Sequence, residues 1–103
     1  MQISVTGKQL DLGEALIAHV TERLTSAVAK YFDNAVQSQV VFNREAHLFR
    51  SECLVHVGGG ISMQAEAEAD EIYASFDMAL SHLEKQLRRD KRRRRNHHAG
   101  PKP

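Results

Sequence analysis

Eight basic side chains fall within residues 85–95, and a single acid interrupts them. The cations are Lys85, Arg88, Arg89, Lys91, Arg92, Arg93, Arg94 and Arg95, and the acid is Asp90. Arginine is the majority cation, and its planar guanidinium donates paired hydrogen bonds to phosphate oxygens, which the point charge of lysine cannot do. The segment therefore predicts a contact with a dense polyanion, and nucleic acid is the first candidate.

The rest of the chain carries the opposite charge. The 103 residues hold 14 Lys or Arg and 13 Asp or Glu, for a formal net charge of +1. From residue 85 onward there are nine bases and one acid, so residues 1–84 contain five bases and twelve acids. The alternative to a binding site is a solvated tail that only improves solubility.

No catalytic constellation is recognisable in the sequence. Cys53 lies on the apolar face of a predicted strand and is predicted to be a small core residue, and a single cysteine fits a reducing compartment. His97 and His98 lack Cys or carboxylate neighbours at metal-binding spacing. Gly58-Gly59-Gly60 leads into a strand rather than a helix, so it predicts a hairpin turn and not a phosphate-binding loop. We therefore expect no enzyme activity, no metal and no cofactor.

Periodicity predicts the elements that position the basic segment. Alternation at Ile3 and Val5 predicts a strand that ends at Gly7, and Asp11 with Glu14 resembles a capping box that opens a helix to about Phe32. The helix carries one apolar stripe, formed by Leu12, Leu16, Val20, Leu24, Val28 and Tyr31. Asp33-Asn34 then predicts a turn.

Three strands and a second helix follow. The apolar strand faces are Val36, Val40 and Phe42, then Phe49, Cys53, Val55 and Val57, then Ile61, Met63, Ala65, Ala67 and Ala69. The opposite face carries Arg50, Glu52, His56, Glu66 and Glu68. One face of the sheet is therefore expected to be covered and the other to be exposed to solvent. The order β-α-β-β-β-α predicts an α+β two-layer sandwich, a four-stranded sheet with two helices packed on one face.

Domain organisation and location follow from length and hydropathy. We predict a single domain over residues 1–95 and a disordered basic tail over residues 96–103, because the chain is too short for two cores. No apolar run approaches the roughly 20 residues that cross a bilayer, and the N-terminus lacks a signal sequence. A cytoplasmic location is expected.

The last helix, which begins at Asp70 or Glu71, has two opposite faces. Its apolar stripe is Ile72, Phe76, Ala79, Leu80, Leu83 and Leu87. At about 100° per residue, Arg88, Arg89 and Arg92 lie within about 60° of Lys85, on the other side. Arg94 returns to the apolar side, so the helix is expected to have left the sheet there, and Asn96 and Gly100-Pro101 are expected to end it.

The composition and register of this helix narrow the possible roles of the basic segment. A disordered solubilising tail has no reason to keep its cations on one side of a helix. The exposed face lacks the Trp, Phe or Leu of a membrane-surface helix, and the absence of aromatics disfavours base stacking. Recognition of the backbone and shape of structured RNA or DNA is therefore predicted. Arg23 and Lys30, on one edge of the first helix with His19 nearby, either extend the basic surface or are simply solvated.

Three segments resemble the hibernation-promoting factor family, also called ribosome-associated inhibitor or sigma-factor modulation proteins. The first is ISVTGKQL at residues 3–10 with EAL at 14–16, and the second is Lys30-Tyr31-Phe32. The third is the most specific: DEIYASFD at residues 70–77 and LEKQLRR at residues 83–89. Together they extend the resemblance over about residues 1–95.

The resemblance implies the same fold and a specific role. Such a protein is expected to bind the small ribosomal subunit in the channel between head and body, where messenger RNA and the aminoacyl and peptidyl transfer RNAs bind. It would reversibly inhibit translation in stationary phase or stress. Carried over, Lys85, Arg88, Arg89 and Arg92 would contact ribosomal RNA backbone, Lys91, Arg93, Arg94 and Arg95 would complete the set, and Lys30 and Arg23 are weaker candidates. No membrane or small-molecule partner is implied, and the free protein is expected to be a monomer.

Ribosome pairing is left open by the resemblance. Long members of the family carry a C-terminal dimerisation domain that these 103 residues do not include, so pairing is expected to need a separate factor. Whether the protein promotes or opposes pairing, and how residues 96–103 contribute, does not follow from the sequence.

Two alternatives to this function remain at this point. One is a stand-alone module of the double-stranded-RNA-binding type. That fold usually starts with a helix and has its basic residues at the start of the last helix, whereas here they come at its end. The other is an interaction protein that inhibits a transcription factor through the acidic sheet face.

Overall fold

The computed structural model describes residues 1–33, 35–58 and 60–99, and the side chains of residues 35, 36 and 94–99 lie outside this description. The elements are β1 (Gln2–Gly7), α1 (Glu14–Ala29), β2 (Ala35–Glu45), β3 (Leu48–Val57), β4 (Ile61–Ala69) and α2 (Ile72–Ala99). The predicted α+β fold with the order β-α-β-β-β-α is confirmed. The predicted division between a domain at 1–95 and a tail at 96–103 stays a prediction.

The sheet is mixed, with the strand order β1-β2-β3-β4. β1 pairs in parallel with β2, which requires the crossover that α1 supplies, and the other two pairings are antiparallel. One row of paired residues runs across all four strands through Val5, Val40, Cys53 and Ala65. Val40 and Cys53 are fully buried in this row, so the predicted apolar faces meet on one side of the sheet.

Both helices cover this side and close the core. The rings of Phe42 on β2 and Phe76 on α2 lie 6.3 Å apart, and both residues are fully buried. Burial raises the pKa of the Cys53 thiol to about 12, so the thiol is neutral at physiological pH, as expected of a core residue. Two serines share the core. Ser75 donates to the Ile72 carbonyl at 2.7 Å, so Ser51 donates to Ser75 at 2.6 Å.

The start of α1 differs from the prediction. Gly13 is the N-cap, with extended backbone angles and no side-chain cap, so the capping box at Asp11 is wrong. Leu10 and Leu12 on either side of Asp11 pack against the core and keep this segment out of the helix. Gly7 permits the approach, because a Cβ there would lie 2.7 Å from the Leu10 carbonyl oxygen.

The ends of α2 agree with the prediction at the N-terminus and, at the C-terminus, for one of the two predicted stops. The Glu71 side chain accepts a hydrogen bond from the Ala74 backbone N–H at 3.1 Å, which confirms a start at Asp70 or Glu71. The helix continues to Ala99, so Asn96 does not end it, and its last residue directly precedes the predicted stop at Gly100-Pro101. Asparagine is only mildly unfavourable within a helix. Asn34, Gly59 and residues 100–103 lie outside the described residues, as does the Val36 side chain.

Candidate nucleic-acid interface

The C-terminal half of α2 presents its cations to solvent while the core holds the helix. Leu83 and Leu87 are fully buried. The exposed cations on the other side form the basic face, which we define as Lys85, Arg88, Arg89, Arg92 and Arg93. The predicted facing of the helix is therefore confirmed. The side chains of Arg94 and Arg95 lie outside the described residues.

Lys30 joins the basic face across a groove between the two helices. The groove is lined by Lys30, Tyr31, Arg88, Lys91 and Arg92. The Lys30 ammonium donates to Glu84 at 3.2 Å, and the Lys91 ammonium donates to the Lys30 backbone carbonyl at 3.4 Å. Lys91 thus places a positive charge at the C-terminus of α1, where the helix dipole favours one and α1 has no basic residue in its last turn.

The two remaining polar residues of α1 behave differently. Arg23 is exposed on the same side of α1 as Lys30, but it does not line the groove. His19, expected near the basic surface, instead donates from Nε2 to Asp77 Oδ1 at 3.0 Å. Its ring also meets the edge of Tyr73, 5.0 Å between centroids. His19 therefore holds α1 against α2.

A second groove lies on the opposite flank of α2, beside the sheet edge. Met63, Gln86, Arg89, Asp90 and Arg93 line it. The Gln86 amide donates to the Gln64 backbone carbonyl of β4 at 2.7 Å. One turn earlier, His82 Nδ1 donates to the Glu66 carbonyl at 3.2 Å. The basic face is thus flanked by α1 on one side and by β4 on the other.

The acidic residues of the sheet lie on the face away from the helices. Arg50 bridges Glu52, at 3.4 Å, and Glu66. The hydrogen bond that Arg50 donates to Glu66, and then the negative charge of Glu66, raise the pKa of Arg50, and the charge of Glu52 adds to the effect. Glu68 is exposed beside them. Phosphate would be repelled from this side and attracted to the helical side.

The part of the chain that the structure describes contains no cluster of three or more His, Cys, Asp or Glu side chains able to hold a metal ion. Among the same residues, no helix combines the length and apolar character needed to span a bilayer.

Comparison with known proteins identifies the family. The family described as "Sigma 54 modulation protein / S30EA ribosomal protein" matches residues 3–95. The chain belongs to this family. The resemblance seen in the three sequence segments is confirmed by a match over nearly the whole chain.

Relatives in this family carry related names. The chain is 36% identical over 100 residues to the ribosome hibernation promotion factor of Rhizobium meliloti, covering 97% of this chain and 53% of that protein. It is 33% identical to the ribosome hibernation promoting factor of Escherichia coli K12, covering 94% of this chain and 100% of that one. The chain thus spans about half the length of the Rhizobium relative and the full length of the E. coli relative.

Solved structures in the family share the fold. The N-terminal domain of Thermus thermophilus Protein Y superposes with a TM-score of 0.78 at 29% identity, covering 86% of this chain and 98% of that one. A ribosomal subunit interface protein from Coxiella burnetii gives a TM-score of 0.74 at 26% identity, covering 88% and 98%.

Several residues that shape the site within this S30EA-family fold were not predicted. Sequence periodicity places Gln86 and His82 at the edge of the apolar stripe, but it does not show that a sheet-edge carbonyl lies within their reach. The contact of Lys91 with the end of α1 was missed for the same reason, since it depends on how the two helices pack. The spacing of four residues between His82 and Gln86, on one side of the helix, was the one available signal.

Proposed function

We propose that this protein is a ribosome hibernation factor that binds the small ribosomal subunit in the channel for messenger and transfer RNA. It reversibly inhibits translation in stationary phase or stress. Membership of the S30EA family and the names of its relatives support a role on the ribosome. The proposed contact is made by the basic face of α2 to ribosomal RNA backbone, together with Lys91, Arg94, Arg95 and Lys30, and with Arg23 at the margin.

The observation that carries this proposal is the availability of the cations on the basic face. Within the described residues, Arg88, Arg89 and Arg92 form no hydrogen bond or ion pair with another side chain. Their guanidinium groups are therefore free to pair with phosphates and release condensed counterions, which is the main source of affinity in such complexes. A helix anchored by Leu83 and Leu87 holds these groups in place before binding, so less ordering entropy is lost.

Inhibition follows from occupancy of the channel. A protein that binds where messenger and transfer RNA bind excludes them by mass action, so its effect depends on its concentration relative to theirs. Release then needs only competition or dilution, and no chemical step on the ribosome. Because its proposed target is the ribosome, we place the protein in the cytoplasm, and we expect a monomer when it is free.

Co-sedimentation with purified ribosomal subunits tests this function. The protein should pellet with small subunits, should not pellet with large subunits, and should be displaced by excess messenger RNA with initiator transfer RNA. Equal affinity for naked duplex RNA would instead support a general double-stranded-RNA-binding module. Failure to pellet with either subunit would contradict the proposal.

A further inference from the structure

The face of β4 beneath α2 consists mostly of alanine side chains. Its helix-facing residues after Met63 are Ala65, Ala67 and Ala69, and the first two are buried. Alanines let the helix approach the strand closely, but they offer only shallow grooves for the interlocking of side chains. Burial of Leu83 and Leu87 therefore holds the C-terminal half of α2 in the core, while the alanines of β4 offer it little to interlock with.

Near its start, α2 is tied to β3 by the buried hydrogen bond between Ser51 and Ser75, and two further directional hydrogen bonds tie its C-terminal half to β4. His82 donates to the carbonyl of Glu66 at 3.2 Å, and Gln86 donates to the carbonyl of Gln64 at 2.7 Å. Four helical residues advance about 6 Å, and two strand residues advance about 6.7 Å. The two spacings match, and α2 runs antiparallel to β4, so both donors meet successive outward carbonyls of the edge strand at the same time.

We propose that Gln86 and His82 are positioning residues that set the register of the C-terminal half of α2 on β4 and so hold the basic face in place. A shift of this half of α2 along β4 would carry Arg88 and Arg92 away from the groove shared with Lys30. The functional half of this inference rests on the proposed function. The register itself does not depend on it.

The same contacts also occupy two backbone carbonyls on one edge of the sheet. β4 is an edge strand, and the outward carbonyls of Gln64 and Glu66 would otherwise be open to pairing with another strand. Side chains from α2 occupy both. Anchoring the helix and occupying these two edge carbonyls are therefore done by the same two residues.

The test compares Gln86→Met with the parent protein. Methionine keeps the length and apolar stem of glutamine but cannot donate a hydrogen bond. Gln39→Met, an exposed position on the opposite sheet face, is the matched control. Spin labels at Thr6→Cys and Ser81→Cys, both exposed, report the distance between β1 and α2. Buried Cys53, whose thiol pKa is raised to about 12, stays unlabelled at neutral pH.

The parent and Gln39→Met should give one narrow distance distribution, and Gln86→Met should give a broader or shifted one. His82→Phe with Gln86→Met should enlarge the change. If the distribution stays the same, the register role is overturned. This distance measurement tests the register of α2 whether or not the parent protein binds ribosomes.

Binding to small subunits tests the functional half of the inference. Gln86→Met should bind roughly three- to tenfold more weakly, because fewer molecules hold the competent register, with an unchanged dependence on salt. A broadened distance distribution with unchanged affinity would overturn the positioning role and leave only an architectural one. No binding by the parent would contradict the proposed function alone.

Discussion

Residues 72–84 and residues 85–93 belong to one helix, yet their charged side chains have different partners. In the first part, Asp77 binds His19 at 3.0 Å and Glu84 binds Lys30 at 3.2 Å, so both acids are engaged with α1. In the second part, Arg88, Arg89 and Arg92 have no such partner within the described residues.

The difference shows how one helix serves both fold and function. Charges that meet an opposite charge inside the molecule help to set the packing of α1 on α2. Charges left without an internal partner cost stability through mutual repulsion and need an external anion to offset it. The exposed cations of the second part are therefore where a polyanionic partner is expected, whereas the paired acids of the first part and the buried side chains of both parts, Leu87 included, serve the fold.

The largest expected effect is on binding. Changing Arg88, Arg89 and Arg92 to Glu should weaken binding to small subunits by more than about a hundredfold, because attraction to phosphate becomes repulsion. Thermal unfolding should change little, since these side chains face solvent. Reversal of Lys8 and Arg44, exposed cations outside the basic face, is the control for a general charge effect, although two reversals change the net charge by −4 and three change it by −6. A variant that unfolds would contradict the facing of α2, and one that still binds would contradict the site.

The first part of α2 should respond in the opposite way. Phe76→Ala removes a fully buried ring and should lower the free energy of unfolding by about 3–5 kcal/mol, measured by denaturant titration. Leu83→Ala should cost about 2–5 kcal/mol. Met78→Ala, two residues from Phe76 and 45% exposed, is the control and should change stability by less than about 0.5 kcal/mol. Equal losses for Phe76 and Met78 would mean that the helix faces are misassigned.

A smaller effect is expected from neutralising one cation. Arg92→Gln should reduce the slope of log binding constant against log salt by about 0.7–0.9, the amount for one lost phosphate contact. The same change at Arg23, which lies outside the groove, tells whether α1 extends the site beyond Lys30. An unchanged slope for Arg92→Gln would remove this residue from the interface.

The smallest effect concerns the ion pair between the two helices. Glu84→Gln should change the free energy of unfolding by less than about 0.5 kcal/mol, because the Lys30 side chain is 62% exposed. Small-subunit binding should become slightly tighter, since Lys30 loses an internal competitor for phosphate. Weaker binding by Glu84→Gln would show that the pair positions Lys30 for the contact.

Sequence patterns predicted which side of each strand and helix faces the core. They predicted less well where the elements begin and end and which residues of different elements are in contact. Period-two alternation correctly placed Cys53 and Val55 on the covered face of the sheet, where both are buried. The start of α1 at Gly13 was missed because the packing of Leu10 and Leu12 outweighed the capping preference of Asp11.

Contacts between elements were beyond the reach of sequence periodicity. The pattern predicts that Leu87 faces the core and Arg88 faces water, but not which neighbour lies beside Gln86 or Lys91. Those neighbours depend on the parallel pairing of β1 with β2 and on the path of α2 along β4. The candidate cations could therefore be named in advance, whereas the residues that hold them in place needed the structure.

In vitro translation at a fixed ribosome concentration, titrated with the purified protein, tests the central claim most directly. If the basic face occupies the messenger and transfer RNA channel, inhibition should saturate near one protein per small subunit. Excess messenger RNA and initiator transfer RNA should reverse it, and the variant with Glu at positions 88, 89 and 92 should not inhibit. Inhibition that is substoichiometric, irreversible or retained by that variant would contradict the account.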